Sequence, residues 1–409
     1  MFLIYITLLL HTTLFSHICL FKHFSITLAK FHYKFMEGQP FVFGSAVTGV
    51  NFTDREEDCK HLIANFKHGI NTILISPRRW GKTSLVKKAI NEVKSDKLKI
   101  VYLDVFACRS PQEFLSRFSE NIIKQTSEPS NWIENIKNFL SRFNPKFSFK
   151  SDPLSEISLS FEILPKKEDI SSILQLPEKI AQNQKCRIVV CIDEFQQIGE
   201  FKDSITFQKE LRTVWQHQQL TSYCLFGSKK HLMTELFAKT NYPFYQFGDI
   251  IFLNKIPTEE WVKFIKARFK VTGKVISDRL ADGICNKVEN QSNYVQQLSW
   301  ILWIKTDHEA LEEDLKSSYN ELLAHNSNLF ERMTENLTAY QMNFLRAITD
   351  GIHSEFNHQE ILQSYQLGTS ANITRIKESL LNKDIINISF SKVTIPDAVL
   401  REWLRRQFI

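Results

Sequence analysis

The sequence predicts an α/β chain: a doubly wound parallel sheet, then a run of helices, then a winged helix-turn-helix. Three observations carry this expectation. Five short apolar runs rich in β-branched residues lie between residues 71 and 253, each separated from the next by helical patterns. They do not alternate apolar with polar, as suits strands buried on both faces of a parallel sheet. After Leu253 the pattern is helical only, until three short helices and two β-like pieces close the chain in the order of a winged helix.

The strand runs are Asn71 to Ser76, ended by Pro77, then Ile100 to Phe106, Arg187 to Ile192, Tyr223 to Gly227 and Asp249 to Leu253. Between them, helical periodicity covers Lys82 to Val93, Pro111 to Lys124, Ser172 to Asn183 and Ile205 to Gln218. Pro177 falls inside the third of these, so its regular part is expected to begin only there. An insertion breaks the alternation. Asn131 to Phe143 reads as an amphipathic helix, and apolar residues alternate with polar ones on both sides of Asp152-Pro153, as in a hairpin with one face buried. Beyond Leu253, helices are expected over Thr258 to Phe269, Ile276 to Glu289, Asn293 to Lys305 and on to about Glu331. The winged helix takes Ala339 to Ile348, His358 to Ser364 and Ser370 to Leu381, with wing strands Ile385 to Ser389 and Lys392 to Ile395. Pro396 to Ile409 adds a basic end with Arg401, Arg405 and Arg406.

Composition narrows the classes. At roughly 150 residues per domain, 409 residues suggest two or three domains. Apolar residues at 43% and charged residues at 23% are those of a globular chain, and 12 glycines with 11 prolines exclude a collagenous one. A net charge of +6 permits contact with a polyanion without arguing for it. Seven cysteines, an odd number without CxxC spacing, suit reduced buried thiols rather than a disulfide scaffold. The histidines lack HxxxH spacing, so no metal is expected beyond one bound with a nucleotide.

The strongest local signal is Ser76-Pro77-Arg78-Arg79-Trp80-Gly81-Lys82-Thr83-Ser84, which follows a strand and opens a helix. Unpaired backbone N–H groups at such a loop point at an anion, which makes this the context of a phosphate-binding loop. Gly81 allows close approach, Lys82 reaches the β- and γ-phosphates, and the Thr83 hydroxyl ligates Mg²⁺. The pattern GxxxxGK[ST] begins with glycine, and Ser76 stands in that place. Were positive φ required there, serine would cost about 1 kcal/mol or more. The second signal is Val189-Val190-Cys191-Ile192-Asp193-Glu194, an apolar run that delivers two carboxylates to the C-terminal edge of the sheet, where α/β ligands bind. Asp193 would hold the Mg²⁺ shell and Glu194 would orient and polarise the attacking water. Alone, such a pair more often caps the next helix. With the upstream loop it points to ATP or GTP.

Together these residues resemble the P-loop ATPases of the AAA+/STAND group, most closely the archaeal-type ATPase family also found in bacteria. The likeness extends to Asn51-Phe52-Thr53-Asp54-Arg55-Glu56, Ile192-Asp193-Glu194-Phe195-Gln196, Phe226-Gly227-Ser228 and Asn293-Tyr294-Val295-Gln296-Gln297-Leu298, and covers about residues 40 to 409. It implies a five-stranded parallel sheet in the order 5-1-4-3-2, and ATP as the nucleotide. It divides the chain into an ATPase core at 36–254 with an insertion at about 130–165, a helical lid at 255–332 and a winged helix domain at 333–409. Phe52 to Glu56 would lie near the adenine, although Asp54 with Glu57 also reads as a helix cap. Ser228 would be the sensor that couples the γ-phosphate to the sheet, or else a plain turn. Asn293 to Gln297 would pack over the nucleotide, or be only a bundle helix. Arg78 or Arg79 would act in a neighbouring subunit of a homo-oligomer as an arginine finger, or belong to a solvated loop. Arg212 is the weaker candidate for that role.

The expected function is Mg²⁺-dependent ATP hydrolysis, slow, as a molecular switch whose winged helix engages a protein partner or the ATPase core. The sparse charge of the wing, with Lys392 its one basic residue, favours this over a winged helix on duplex DNA, with Arg375 and Lys377 at the groove and Lys383, Lys392, Arg401, Arg405 and Arg406 adding backbone contacts. A nucleotide-gated scaffold with negligible turnover is the third reading, supported by Ser76. The first 35 residues differ from the rest: no acidic residue precedes Glu37, and polar residues interrupt the apolar stretch. They read as upstream sequence before a true start at Met36, with a membrane anchor or a secretory signal as alternatives. The expected location is cytoplasmic.

Overall fold

The computed structural model describes residues 39–47, 49–127, 147–151, 157–161 and 167–408. The readings of residues 1–35, of the helix at 131–143 and of the Asp152-Pro153 turn lie outside the described residues. The first sheet contains β1 (Thr72–Ile75), β2 (Leu98–Asp104), β5 (Arg187–Asp193), β6 (Thr221–Gly227) and β7 (Asp249–Phe252). A hairpin of β3 (Phe147–Ser151) and β4 (Ile157–Phe161) pairs antiparallel as a separate sheet and runs alongside the helix Pro111–Thr126. All pairs of the main sheet are parallel, in the order β2-β5-β6-β1-β7. Numbered without the hairpin this is 2-3-4-1-5, the expected order read from the other edge.

The helices of this part are α1 (Glu56–His68), α2 (Lys82–Val93), α3 (Pro111–Thr126), α4 (Lys167–Leu174), α5 (Leu176–Gln184), α6 (Ser204–Trp215) and α7 (Lys230–Ala238). Ser110 caps α3 by accepting a hydrogen bond from the Glu113 N–H, with Pro111 in the first turn. The single helix expected over Ser172 to Asn183 is two. Pro177 cannot donate its backbone hydrogen bond, so the chain breaks at Gln175 and restarts with proline in the first turn of α5. One face of the sheet packs on Leu62 and Phe66 of α1 and Leu85, Val86 and Ala89 of α2. The other face meets α3 to α7, with Phe114, Phe118 and Trp215 packed beside Phe195 and Phe244 of the turns, and Trp215 stacked on Tyr223 at 4.0 Å between ring centres.

Beyond the sheet follow α8 (Thr258–Val271), α9 (Asp278–Lys287), α10 (Ser292–Lys305), α11 (Glu312–Thr334), α12 (Ala339–Thr349), α13 (Gln359–Ser364) and α14 (Ser370–Asn382). The wing strands are β8 (Asn387–Ser389) and β9 (Lys392–Thr394), and α15 (Ala398–Gln407) ends the described chain. The bundle and the winged helix share one apolar core, from Trp261 and Ile284 through Phe344 to Leu404. Phe41 inserts into it from the N-terminal side, edge-on to Phe264 and Phe269. The basic end is therefore a helix, with Val399, Leu400 and Leu404 buried. No helix among the described residues is long and apolar enough to cross a membrane.

Candidate functional site

The C-terminal ends of β1, β5 and β6 bring the expected site residues to one edge of the sheet. β1 is apolar and fully buried, and it hands the chain to the loop at Ser76, itself 1% exposed. Ser76 does not have positive φ. The left-handed positions of the loop are Arg79 (φ 68°) and Gly81 (φ 90°), so the expected penalty at Ser76 is not incurred. Its hydroxyl donates to the Pro77 carbonyl at 3.0 Å. Gly81 caps α2 with nothing within 4 Å of where a Cβ would stand. The loop is held from behind by Arg55, a buried side chain that donates to the Trp80 carbonyl at 3.1 Å and pairs with Asp58 at 3.2 Å. Arg55 is itself left-handed at the start of α1, and no side chain caps that helix, so the expected Asp54–Glu57 cap is absent.

Lys82 is 6% exposed and makes no hydrogen bond or ion pair among the described residues. Burial pushes its ammonium below the ordinary lysine range, against the attraction of Glu194 and Asp193, and Arg78 pushes the same way as burial. A buried, unpaired cation at a helix N-terminus calls for an anion. Asp193 collects three donors: the Tyr102 hydroxyl at 2.7 Å and the Thr83 hydroxyl at 3.2 Å on Oδ2, and the Glu194 N–H at 2.9 Å on Oδ1. Burial raises its carboxyl above the ordinary aspartate range, partly offset by the hydrogen bond from Tyr102. The Thr83 hydroxyl beside a carboxylate is an oxygen pair suited to a hard cation such as Mg²⁺.

Glu194 behaves oppositely. Burial pushes its carboxyl up, but hydrogen bonds from Gln196 and Ser228 and the charge of Lys82 outweigh this and leave it below the ordinary glutamate range. Oε2 accepts from Gln196 Nε2 at 2.5 Å, from Ser228 Oγ at 2.8 Å and from Ser228 N at 3.3 Å. Its backbone is left-handed (φ 53°), a conformation costing about 1–2 kcal/mol outside glycine. Arg78 Nε donates to Ser228 Oγ at 3.2 Å, which ties the loop to the end of β6.

Arg79 is engaged from the other side. It lies over the Tyr294 ring at 5.1 Å, donates to the Tyr294 hydroxyl and pairs with Asp397 at 3.3 Å, while that hydroxyl donates to Asp397 at 2.8 Å. Asp397 belongs to the winged helix, Tyr294 to α10. Nearby, Gln291 Nε2 donates to the Pro396 carbonyl at 2.5 Å, Arg401 pairs with Glu289, and His231 lies 3.8 Å from Asp384. Both loop arginines are exposed, yet each has a side-chain partner, Arg78 in Ser228 and Arg79 in Asp397 and Tyr294. The residues of the Asn293 to Gln297 segment meet the loop and the N-terminal strap: Asn293 N donates to the Arg79 carbonyl at 3.4 Å, Asn293 accepts from Gly44 N, and Gln296 from Val42 N. Phe52 is half-buried, with Lys88 over its ring at 4.4 Å. Arg212 lies over Phe247 at 4.9 Å, away from the loop.

Tyr102 and Asp397 were not singled out by their sequence signals, and Arg55 enters there only as part of the Phe52 to Glu56 motif, not as a support of the loop. Tyr102 reaches Asp193 because β2 pairs with β5 in a register that sets Tyr102 opposite Cys191. That pairing becomes visible only once the strand order is known.

A parallel sheet with a phosphate-loop lysine at one strand end and an acidic pair at another defines a P-loop ATPase fold. The model of the ATPase domain predominantly from Archaea matches residues 52–274, more than half of the chain, and the chain belongs to that family. A probable winged helix domain matches residues 328–406. Among solved structures, the Walker-type ATPase of Pyrococcus abyssi is similar at 16% identity and a TM-score of 0.62, covering 87% of this chain and 96% of its own. The Aeropyrum pernix ORC2 protein, in its ADPNP–ADP complexes, is similar at 13% identity and a TM-score of 0.51, covering 87% and 94%. No curated protein matches the chain.

Proposed function

We propose that the protein binds ATP with Mg²⁺ at the loop 76–84, hydrolyses it slowly, and uses the winged helix to sense the state of that loop. The observation that carries the first half is Lys82, buried and unpaired beside Asp193 and Glu194 at the start of α2. The backbone of Pro77 to Gly81 and the side chains of Lys82, Thr83 and Ser84 would cradle the phosphates, and Thr83 and Asp193 would hold Mg²⁺. When bound, the ion neutralises charge on the β- and γ-phosphates. A water oxygen attacks the γ-phosphorus, the bond to the bridging oxygen of ADP breaks, and Glu194 takes the proton of the water. Lys82 and Arg78 stabilise charge on the transferred group, and Ser228 links Arg78 to Glu194. Arg78, pinned to Ser228 of its own chain, suits a role in cis rather than in a neighbouring subunit.

The second half rests on Asp397. It presents a carboxylate from the winged helix to Arg79 inside the phosphate loop, so the core itself is the surface that the winged helix engages. On this reading residues 36–254 bind and cleave the nucleotide, 255–332 cover it and 333–409 respond to it. Ser76 does not have positive φ, so the backbone penalty that would have favoured the scaffold reading is not incurred, and the turnover measurement below decides between the two.

The test is MgATP turnover by the full chain beside Glu194→Gln. Turnover in the wild type, lost in the variant with ATP binding retained, supports hydrolysis with Glu194 as the base. Equal turnover in both overturns it. For the switch, Asp397→Ser should raise ATP affinity or turnover, and unchanged values for both would disconnect the winged helix from the loop.

A further inference from the structure

Glu194 and Ser228 are accounted for by the reading above, but the side chain that makes the shortest contact with Glu194 is not. Gln196 lies two residues on, in the 3₁₀ turn Phe195–Glu200 that follows β5, and is 2% exposed. Its Nε2 donates to Glu194 Oε2 at 2.5 Å, while its Oε1 is buried without a hydrogen-bond partner. The amide is oriented by this arrangement: turned over, it would set Oε1 against the carboxylate, oxygen to oxygen.

Space for the amide comes from Gly227, the last residue of β6. A Cβ on Gly227 would overlap Gln196 Oε1 and stand 3.0 Å from both Gln196 Cδ and Met233 Sδ. Gly227 does not have positive φ, so its backbone would accept any residue. What the glycine supplies here is room. Ser228, next in the chain, gives the two other hydrogen bonds to the same oxygen.

We propose that Gln196, seated against Gly227, is a positioning residue that fixes Oε2 of Glu194 and leaves Oε1 to accept the proton of the attacking water. Three donors converge on Oε2, and no described residue donates to Oε1. The device also holds Glu194 in its left-handed conformation, since Gln196 grips the side chain of the strained residue directly. A base held within a fraction of an ångström of its productive geometry is worth orders of magnitude in rate. This rests on Glu194 acting as the base.

The test compares full-length Gln196→Met, which fills the volume without a donor, with Gly227→Ala, which keeps Gln196 but takes its space. Both should bind ATP within about threefold of wild type and lose at least tenfold in kcat. A loss confined to kcat, with ATP affinity kept, is a split that a merely structural role would not produce. Gly227→Ala should cost far less in a Gln196→Ala background, where the space is returned, so the two effects are non-additive. Wild-type kcat in Gln196→Met, or strict additivity in the double variant, would overturn the proposal. Glu194→Gln is the control: if it still hydrolyses ATP, the base itself is wrongly assigned. If it is inactive while Gln196→Met is normal, only the positioning role fails. Should Gln196→Met melt markedly lower than wild type, Gly227→Ala and the double variant carry the decision.

Discussion

Asp193 and Glu194 are adjacent carboxylates with opposite acid–base tendencies, and the difference is set by their neighbours. Asp193 is raised because burial dominates, and Glu194 is lowered because three hydrogen bonds and Lys82 outweigh burial. The sign has a consequence for activity. As pH falls, Asp193 takes up its proton at a higher pH than an ordinary aspartate would, and the oxygen that would hold the metal is lost. Protons and Mg²⁺ then compete for Asp193. Turnover measured against pH at low and at high Mg²⁺ should show an acid limb that moves to lower pH as Mg²⁺ rises. An acid limb indifferent to Mg²⁺ would assign it to another group. Tyr102→Phe removes a hydrogen bond of 2.7 Å that favours the charged form of Asp193. Hydrogen bonds to charged groups are worth about 1.5–3 kcal/mol. The variant should therefore need roughly tenfold more Mg²⁺ for half-maximal turnover and show its acid limb at higher pH.

Elements were legible where local chemistry decides them. The phosphate loop and α2 follow from glycine, lysine and the strand before them, and the boundaries Lys82–Val93 match the periodicity residue for residue. α7 escaped notice because Lys230–Ala238 is short and lies between turns, and α15 was hidden by its arginines. Its burial is plain only when Val399, Leu400 and Leu404 are seen against the shared core. Asp397 shows how one side chain serves two elements. Oδ1 caps α15 by accepting from Val399 N at 3.0 Å and Leu400 N at 2.9 Å, while Oδ2 holds Arg79 and Tyr294. The two roles are separable. Serine retains a cap and loses the reach to Arg79; alanine loses both, and a lost cap costs about 1 kcal/mol. Asp397→Ser and Asp397→Ala should change ATP handling alike, while only the alanine variant speeds hydrogen exchange in α15. Faster exchange in both would mean that the contact with Arg79, and not the cap, stabilises the helix.

At the scale of the whole molecule, the sheet order came from resemblance and the domain contacts came from neither composition nor periodicity. No local pattern announces that Arg79 and Asp397, 318 residues apart, will pair. The same contacts bear on DNA. The C-terminal arginines that would have added phosphate contacts are already committed: Arg401 to Glu289, and Arg405 and Arg406 to Glu402 at 2.9 Å each. Lys377 is half-buried over the Phe356 ring. Arg375, Lys383 and Lys392 remain, exposed and without an ion pair among the described residues. Each neutralised phosphate contributes about −0.9 to the slope of log affinity against log salt, so three cations allow a slope no steeper than about −3. Fluorescence anisotropy with a labelled duplex at several salt concentrations reads this directly. Weak binding with a slope between 0 and −3 is the expected result, and it fits a winged helix occupied with its own ATPase core. A slope near −6 would require the C-terminal arginines to leave their carboxylates for phosphates. Because Arg401 and Asp397 hold the same domain to the nucleotide site, such binding would have to undock the winged helix, and ATP affinity would then change with DNA by the same factor as DNA affinity changes with ATP.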